Sequence, residues 1–148
     1  MRNTQMKIRK YSAEDTDALI SVWRSASAVA HAFLTESFLI QETQNMRDIY
    51  LPNAETWVVE WGGKPVGFIA LLEDEIGGLF LFPPLHGQGL GRAMVDHAVA
   101  LKGPLKVEVF EKNAIGRRFY DRYGFVETGR YVFEPAGEIM LQMAMPTA

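Results

Sequence analysis

Apolar and polar residues alternate through "MKIRKY" (6–11), which predicts a short first strand. From Ser12 the period lengthens. Leu19, Val22, Trp23 and Ala26 recur at helical spacing, and Ser12 with Asp15 reads as a capping box opening a helix to about Ala28. "SAVAHAFLTE" has no clear period, and a second helix is expected from about Ser37 to Tyr50, stopped by Pro52. "TWVVEW", "GGK" and "PVGFIALL" form the best hairpin signal in the chain, because two glycines suit a tight turn. "GGLFLF" continues as a strand and ends at Pro83-Pro84.

The second half alternates strands with helices. "GRAMVDHAVAL" turns Ala93, Met94, Val95, Ala98 and Leu101 inward, and Gly103-Pro104 stops it. "LKVEVF" alternates as a strand, after which Asn113 caps a helix "AIGRRFYDRY" that ends at Gly124. "FVETGRYVF" and "IMLQMAM" close the chain as strands. The order β, α, α, three strands, α, β, α, β, β implies a mixed α/β sheet, with parallel neighbours where a helix connects two strands. No repeat, low-complexity tract or linker breaks the pattern, so residues 1–148 read as one domain.

One stretch does not read as scaffold alone. "FPPLHGQGLGRAMV" (82–95) sets Gly87, Gly89 and Gly91 at alternate positions between a strand and a helix. Two readings fit. Either the glycines allow close packing at a strand–helix turn, or they let an anion touch backbone N–H groups at the positive end of the helix. Arg92, a cation in the first turn, is unfavourable for the helix alone and makes more sense beside an anion. Dinucleotide spacing fails because Arg92 and Met94 stand where a third glycine or alanine is needed, and no Gly-Lys-Ser/Thr exists for a P-loop.

Composition narrows the classes further. The chain has 148 residues, no cysteine and a net charge of −3. Disulfides, thiolate zinc sites and cysteine nucleophiles are excluded, and a broad nucleic-acid footprint is disfavoured. His31, His86 and His97 show no metal-ligand spacing, so no metal is expected. No apolar signal core and no membrane-length run occur, which predicts a cytoplasmic monomer or homodimer without membrane partners.

"LFLFPPLHGQGLGRAMV" resembles the acyl-CoA-binding motif of the GNAT N-acetyltransferases, with Leu81-Phe82-Pro83 as the strand end and His86 to Gly91 as the loop. "VFEKNAIGRRFYDRYGF" is similar to the family's later strand, asparagine and FYxxxGF helix, with Asn113, Phe119, Tyr120, Gly124 and Phe125 in register. "VWRSASAVAHAFL" further resembles small single-domain bacterial members of the YjaB type. The family's first motif position is Arg or Gln, and here it is His86, which reads as a backbone contributor, a side chain that helps hold the pyrophosphate, or an exposed loop histidine with no role.

The resemblance implies the GNAT acyl-CoA N-acyltransferase fold, a central mixed sheet of about 6–7 strands flanked by about 4 helices. It implies an enzyme that moves an acetyl group from acetyl-CoA directly to an amine of a small molecule or protein, without an acyl-enzyme. The alternative is an inactive acyl-CoA-binding sensor or interaction module. Cofactor contacts carry over to Leu79, Leu81, His86, Gly87, Gln88, Gly89, Leu90, Gly91, Arg92, Asn113 and Tyr120, with Leu81 N–H as an oxyanion donor. Tyr120 is the expected general acid, since a phenol stays protonated at neutral pH; otherwise it is a core aromatic beside Phe119. Adjacent helical residues face different ways, so Phe119 in the core would leave Tyr120 for the site. Candidate bases are His31, Glu73 and Glu111, or a relaying water with no residue at all, with "EDE" (73–75) also readable as a solvated turn and His31 as a surface-loop histidine. Trp23, His31, Phe33 and Leu34 form the expected acceptor pocket, although Trp23 also suits the core face of its helix.

Overall fold

The computed structural model describes residues 5–146. Strands β1 (Met6–Lys10), β2 (Glu55–Trp61), β3 (Lys64–Leu72), β4 (Glu75–Leu81), β5 (Lys106–Phe110), β6 (Val126–Phe133) and β7 (Glu138–Ala144) make one sheet in the order β1-β2-β3-β4-β5-β7-β6. Neighbours are antiparallel except β4 and β5. Around the sheet lie α1 (Thr16–Ala30), α2 (Glu36–Asn45), a short α3 (Leu51–Asn53), α4 (Leu90–Lys102) and α5 (Ala114–Tyr123). The element order and mixed sheet are those expected.

Strand alternation divides the core between the two faces of the sheet. Val58, Phe68 and Ala70 pack with Leu19, Ile20, Trp23, Met46 and Leu51 on one face. Val59, Ile69 and Leu71 pack with Met94, Val95, Ala98 and Phe125 on the other. The β2–β3 turn uses Gly62 and Gly63 at φ 59 and 84, left-handed values that a tight hairpin turn requires.

Local expectations needed correction at four places. Asp15 does accept the Ser12 N–H at 2.9 Å, but Arg9 grips the same carboxylate twice at 2.8 Å. The expected capping box is present, but it opens a 3-10 turn (Ala13–Asp15), and α1 starts at Thr16. The stretch expected to be irregular stays helical to Ala30. Its last turn faces a cavity lined by Ala26 and Ala30 rather than the core, which hid its period. Pro52 does not stop the second helix. A π turn (Met46–Tyr50) intervenes, and Pro52 falls in the first turn of α3, where a missing N–H breaks no bond. Leu101 is 49% exposed, because it lies on the last turn of α4, just before Gly103 turns the chain at φ 81.

The feature that positions the site is a gap in the sheet. β4 and β5 pair only at Glu75–Lys106 and Ile76–Val107, and beyond these the two strands are unpaired. A cavity of about 820 Å³ opens there, bounded by α1, α2, the loop after β4, α4 and α5.

Candidate active site

The glycine loop forms one end of this cavity. Gly87 and Gly89 have φ 85 and 84, conformations that L side chains rarely adopt, and nothing lies within 4 Å of where their Cβ atoms would stand. Gly89 caps α4, whose first internal bond runs from Ala93 N–H to Gly89 O at 3.0 Å. The N–H groups of Leu90, Gly91 and Arg92 therefore have no partner within the helix. An open cradle of backbone donors at a helix N-terminus fits the phosphates of an acyl-CoA. Gly91 has a different reason to lack a side chain: a Cβ there would lie 3.2 Å from the Phe119 ring. The third glycine lets α5 pack against α4.

Leu79 and Leu81 line the gap. Phe82 N–H bonds Val66 O at 2.8 Å, so by strand alternation the peptide groups of Leu81 point away from β3, into the gap. His86 Nε2 donates to Leu81 O at 3.1 Å. The residue that departs from the family's motif thus braces the loop against the strand end. Arg92 and Leu90 line the cavity, and the Arg92 guanidinium lies 5.0 Å from the Tyr123 ring centre. Gln88 is exposed and outside the lining.

On α5, Asn113 Oδ1 accepts the Gly116 N–H at 2.8 Å and caps the helix. Tyr120 is 6% exposed, so the division of labour with Phe119 is not the expected one. Both rings line the cavity, 5.2 Å apart, and Tyr120 also packs on Phe125 in the core. Burial pushes the phenol well above its ordinary pKa of 10. Its hydroxyl bonds to no described residue, and Tyr120 is part of the cavity lining.

The other end is aromatic. His31, at the C-terminus of α1, lies among Phe33, Phe80 and Phe110 at ring-centre distances of 5.8, 6.5 and 5.4 Å. Burial lowers its pKa from 6.5 to about 4. Its Nε2 accepts from Asn113 Nδ2 at 3.2 Å, which places the imidazole proton on Nδ1, 3.4 Å from Ser27 Oγ. Trp23, His31 and Leu34 line the cavity; Phe33 stands behind, packed on Phe110 at 5.5 Å. Trp23 is 5% exposed, packed in the core and also part of the cavity lining.

Glu73 and Glu111 are elsewhere. Glu73 sits in the exposed β3–β4 turn at φ 58, and Glu111 pairs with Arg130 at 3.0 Å. Two other carboxylates line the cavity. Glu108, one residue past the last β4–β5 pair, accepts from Tyr131 Oη at 2.5 Å and Gln142 Nε2 at 3.4 Å. Glu42 on α2 accepts from Asn45 Nδ2 at 2.9 Å and Tyr50 Oη at 3.2 Å. Neither forms an ion pair among the described residues. Glu108 carried a signal in the alternation of "LKVEVF", a charged residue on the strand's second face, whereas nothing local marked Glu42. Among the described residues no group of three His, Asp or Glu side chains is placed to hold a metal, and no helix is long and apolar enough to cross a membrane.

A family model described as an acetyltransferase (GNAT) domain matches residues 52–127, more than half of the chain. The chain belongs to the GNAT acetyltransferase family. It is an N-acetyltransferase, and the family uses acetyl-CoA as its acetyl donor. The peptidyl-lysine N-acetyltransferase YjaB of Salmonella typhimurium is 34% identical over 134 residues, covering 90% of this chain and 92% of the relative. The solution structure of apo YjaB from Escherichia coli superposes with a TM-score of 0.87 at 29% identity, covering 97% of this chain and 99% of that one. The PaiA N-acetyltransferase of Thermoplasma acidophilum, solved with coenzyme A, has the same fold at a TM-score of 0.81 and 18% identity, over 96% of this chain and 99% of that one.

Proposed function

We propose that this N-acetyltransferase acetylates the side-chain amine of lysine in polypeptides, moving the acetyl group directly from acetyl-CoA without an acyl-enzyme. The observation that carries the reading is the polarity of the cavity. Its cations, Arg92, Arg118 and Arg122, come from α4 and α5, while its carboxylates, Glu42 and Glu108, come from α2 and β5. Phosphates suit the first end and an alkylammonium the second. The names of the YjaB relatives agree with a lysine acceptor.

Acetyl-CoA supplies an acetyl thioester, with an electrophilic carbonyl carbon and a sulfur that leaves as thiolate. The N–H groups of Gly87 to Arg92 hold the pyrophosphate, with His86 bracing their loop. Leu81 N–H, directed into the gap, donates to the thioester oxygen. Glu108 takes the proton from the acceptor ammonium: its carboxylate is oriented by Tyr131 and Gln142 and neutralised by no cation. The freed amine attacks the carbonyl carbon, the C–S bond breaks, and Tyr120 gives its proton to the leaving thiolate while the new amide nitrogen sheds its second proton, which restores the phenol. Burial that raises the phenol's affinity for its proton also raises that of a thiolate beside it, so the transfer stays balanced. Trp23, His31 and Leu34 wall the acceptor's apolar stem.

The sensor alternative is not favoured, since the relatives are named as enzymes and the cavity holds both a phenol and an unpaired carboxylate. A cytoplasmic enzyme acting as monomer or homodimer, without nucleic-acid or membrane partners, remains our expectation from composition; sedimentation tests the assembly. Calorimetric titration with acetyl-CoA, followed by thiol release over lysine peptides and small amines, tests the function. Thiol release with acetyl-lysine formation supports it. Tight binding with no release for any amine would favour the sensor, and absence of binding would defeat both.

A further inference from the structure

Asn113 and His31 are 82 residues apart in sequence and joined by one hydrogen bond. Both ends of the Asn113 amide are engaged. Oδ1 takes the Gly116 N–H at 2.8 Å, and one Nδ2 hydrogen goes to His31 Nε2 at 3.2 Å. The Gly116 bond fixes the orientation, because turning the amide over would set donor against donor there, and the atom that meets His31 Nε2 is then the donating Nδ2. Gly116 makes room for it, since a Cβ there would fall 2.5 Å from Asn113 Nδ2. The second Nδ2 hydrogen is left over, and Asn113 lines the cavity.

His31 is itself held. Its backbone N–H closes α1 onto Ser27 O at 2.8 Å, and its ring sits edge-on among three phenylalanines. The bond therefore ties the end of the acceptor-side helix α1 to the start of α5, which carries Tyr120. We propose that His31 is a positioning residue: by accepting from Asn113 it sets that amide and the first turn of α5, so that the free Nδ2 hydrogen faces the arm of acetyl-CoA and Tyr120 keeps its place. This rests on the assignment of the cavity as the acetyl-CoA site. It excludes His31 as the base, because the lone pair a base would use is the one Asn113 occupies.

Kinetics of His31→Phe and His31→Gln with acetyl-CoA and a lysine peptide separate three roles. Phe fills the aromatic surroundings but accepts no hydrogen bond, whereas Gln is a poorer filler with an accepting oxygen. A positioning role predicts that His31→Phe raises the KM for acetyl-CoA about 2- to 10-fold, the worth of one hydrogen bond, and that His31→Gln recovers toward wild type. Equal losses of kcat in both variants would mean proton transfer, and a wild-type His31→Phe with an impaired His31→Gln would mean packing; either overturns the proposal. In a double-mutant cycle, His31→Phe should add little to Asn113→Ala, whose amide is already gone, and full additivity would count against the link. Nitrogen NMR of the wild-type imidazole needs no variant to fold. A proton on Nδ1 at pH 7 supports the bond, and a proton on Nε2 refutes it. If wild type transfers acetyl to no amine, the functional reading fails, while the NMR result still decides whether His31 accepts from Asn113.

Discussion

The end of the cavity proposed for the donor presents backbone, from Gly87, Gly89 and the first turn of α4, whereas the end proposed for the acceptor presents side chains from α1, α2, β5 and the strands beyond. Backbone donors recognise what every acyl-CoA carries, and they need only a few residues in one continuous segment. Side-chain walls recognise what differs between acceptors, and they need groups that the fold must gather. His31 and Asn113 connect the two ends through one bond, which is why the comparison is best probed by breaking each end separately.

The largest effect is expected at the donor end. Gly89→Glu forces a side chain into a φ of 84 and places a carboxylate in the phosphate cradle, so acetyl-CoA binding should vanish in a calorimetric titration; retained affinity would remove the loop assignment. At the reacting centre, Tyr120→Phe should lower kcat by about 100-fold while acetyl-CoA affinity changes little, and unchanged turnover would reduce Tyr120 to packing. Glu108→Gln should lower kcat/KM by a similar factor of about 100 and remove the acidic limb of its pH profile, with Tyr131→Phe giving a weaker version.

Two smaller effects sharpen the contrast. Because His31 binds its proton with a pKa of about 4 folded against 6.5 ordinarily, the unfolded chain binds more protons between those values. Stability from this residue is thus complete above pH 6.5 and falls as pH drops toward 4, by at most about 3 kcal/mol. Thermal melts of wild type and His31→Gln across that window should differ in slope, and parallel curves would contradict the burial argument. Gly91→Ala should cost about 1 kcal/mol of stability through the 3.2 Å contact with Phe119, yet leave acetyl-CoA affinity nearly intact. A loss of affinity without a loss of stability would return Gly91 to the cradle.

The strands, the hairpin, the Asn113 cap and the glycine loop were legible because each rests on local rules: alternation, left-handed turns and helix ends. Glu42 was not, since a glutamate on a polar helix looks like any solvated residue until Phe38, Tyr50 and Phe133 close around it. The proposed base, Glu108, lay outside the expected candidates Glu73, His31 and Glu111 for a related reason. Sequence distinguishes a titratable group from an apolar one, but not a carboxylate spent on Arg130 from one facing a cavity. Helix α1 was cut short because its final turn faces that cavity and so lacks a core stripe.

What the amino-acid sequence determined by itself was the order of elements, the family and the glycine loop that opens α4, all properties of contiguous segments with their own hydrogen-bonding logic. Only the tertiary structure decided that β4 and β5 part after Ile76 and Val107, that Phe119 needs Gly91 bare, and that His31 meets Asn113. Each of those is a contact between segments distant in the chain, and no local period or propensity records which distant partner a side chain will find.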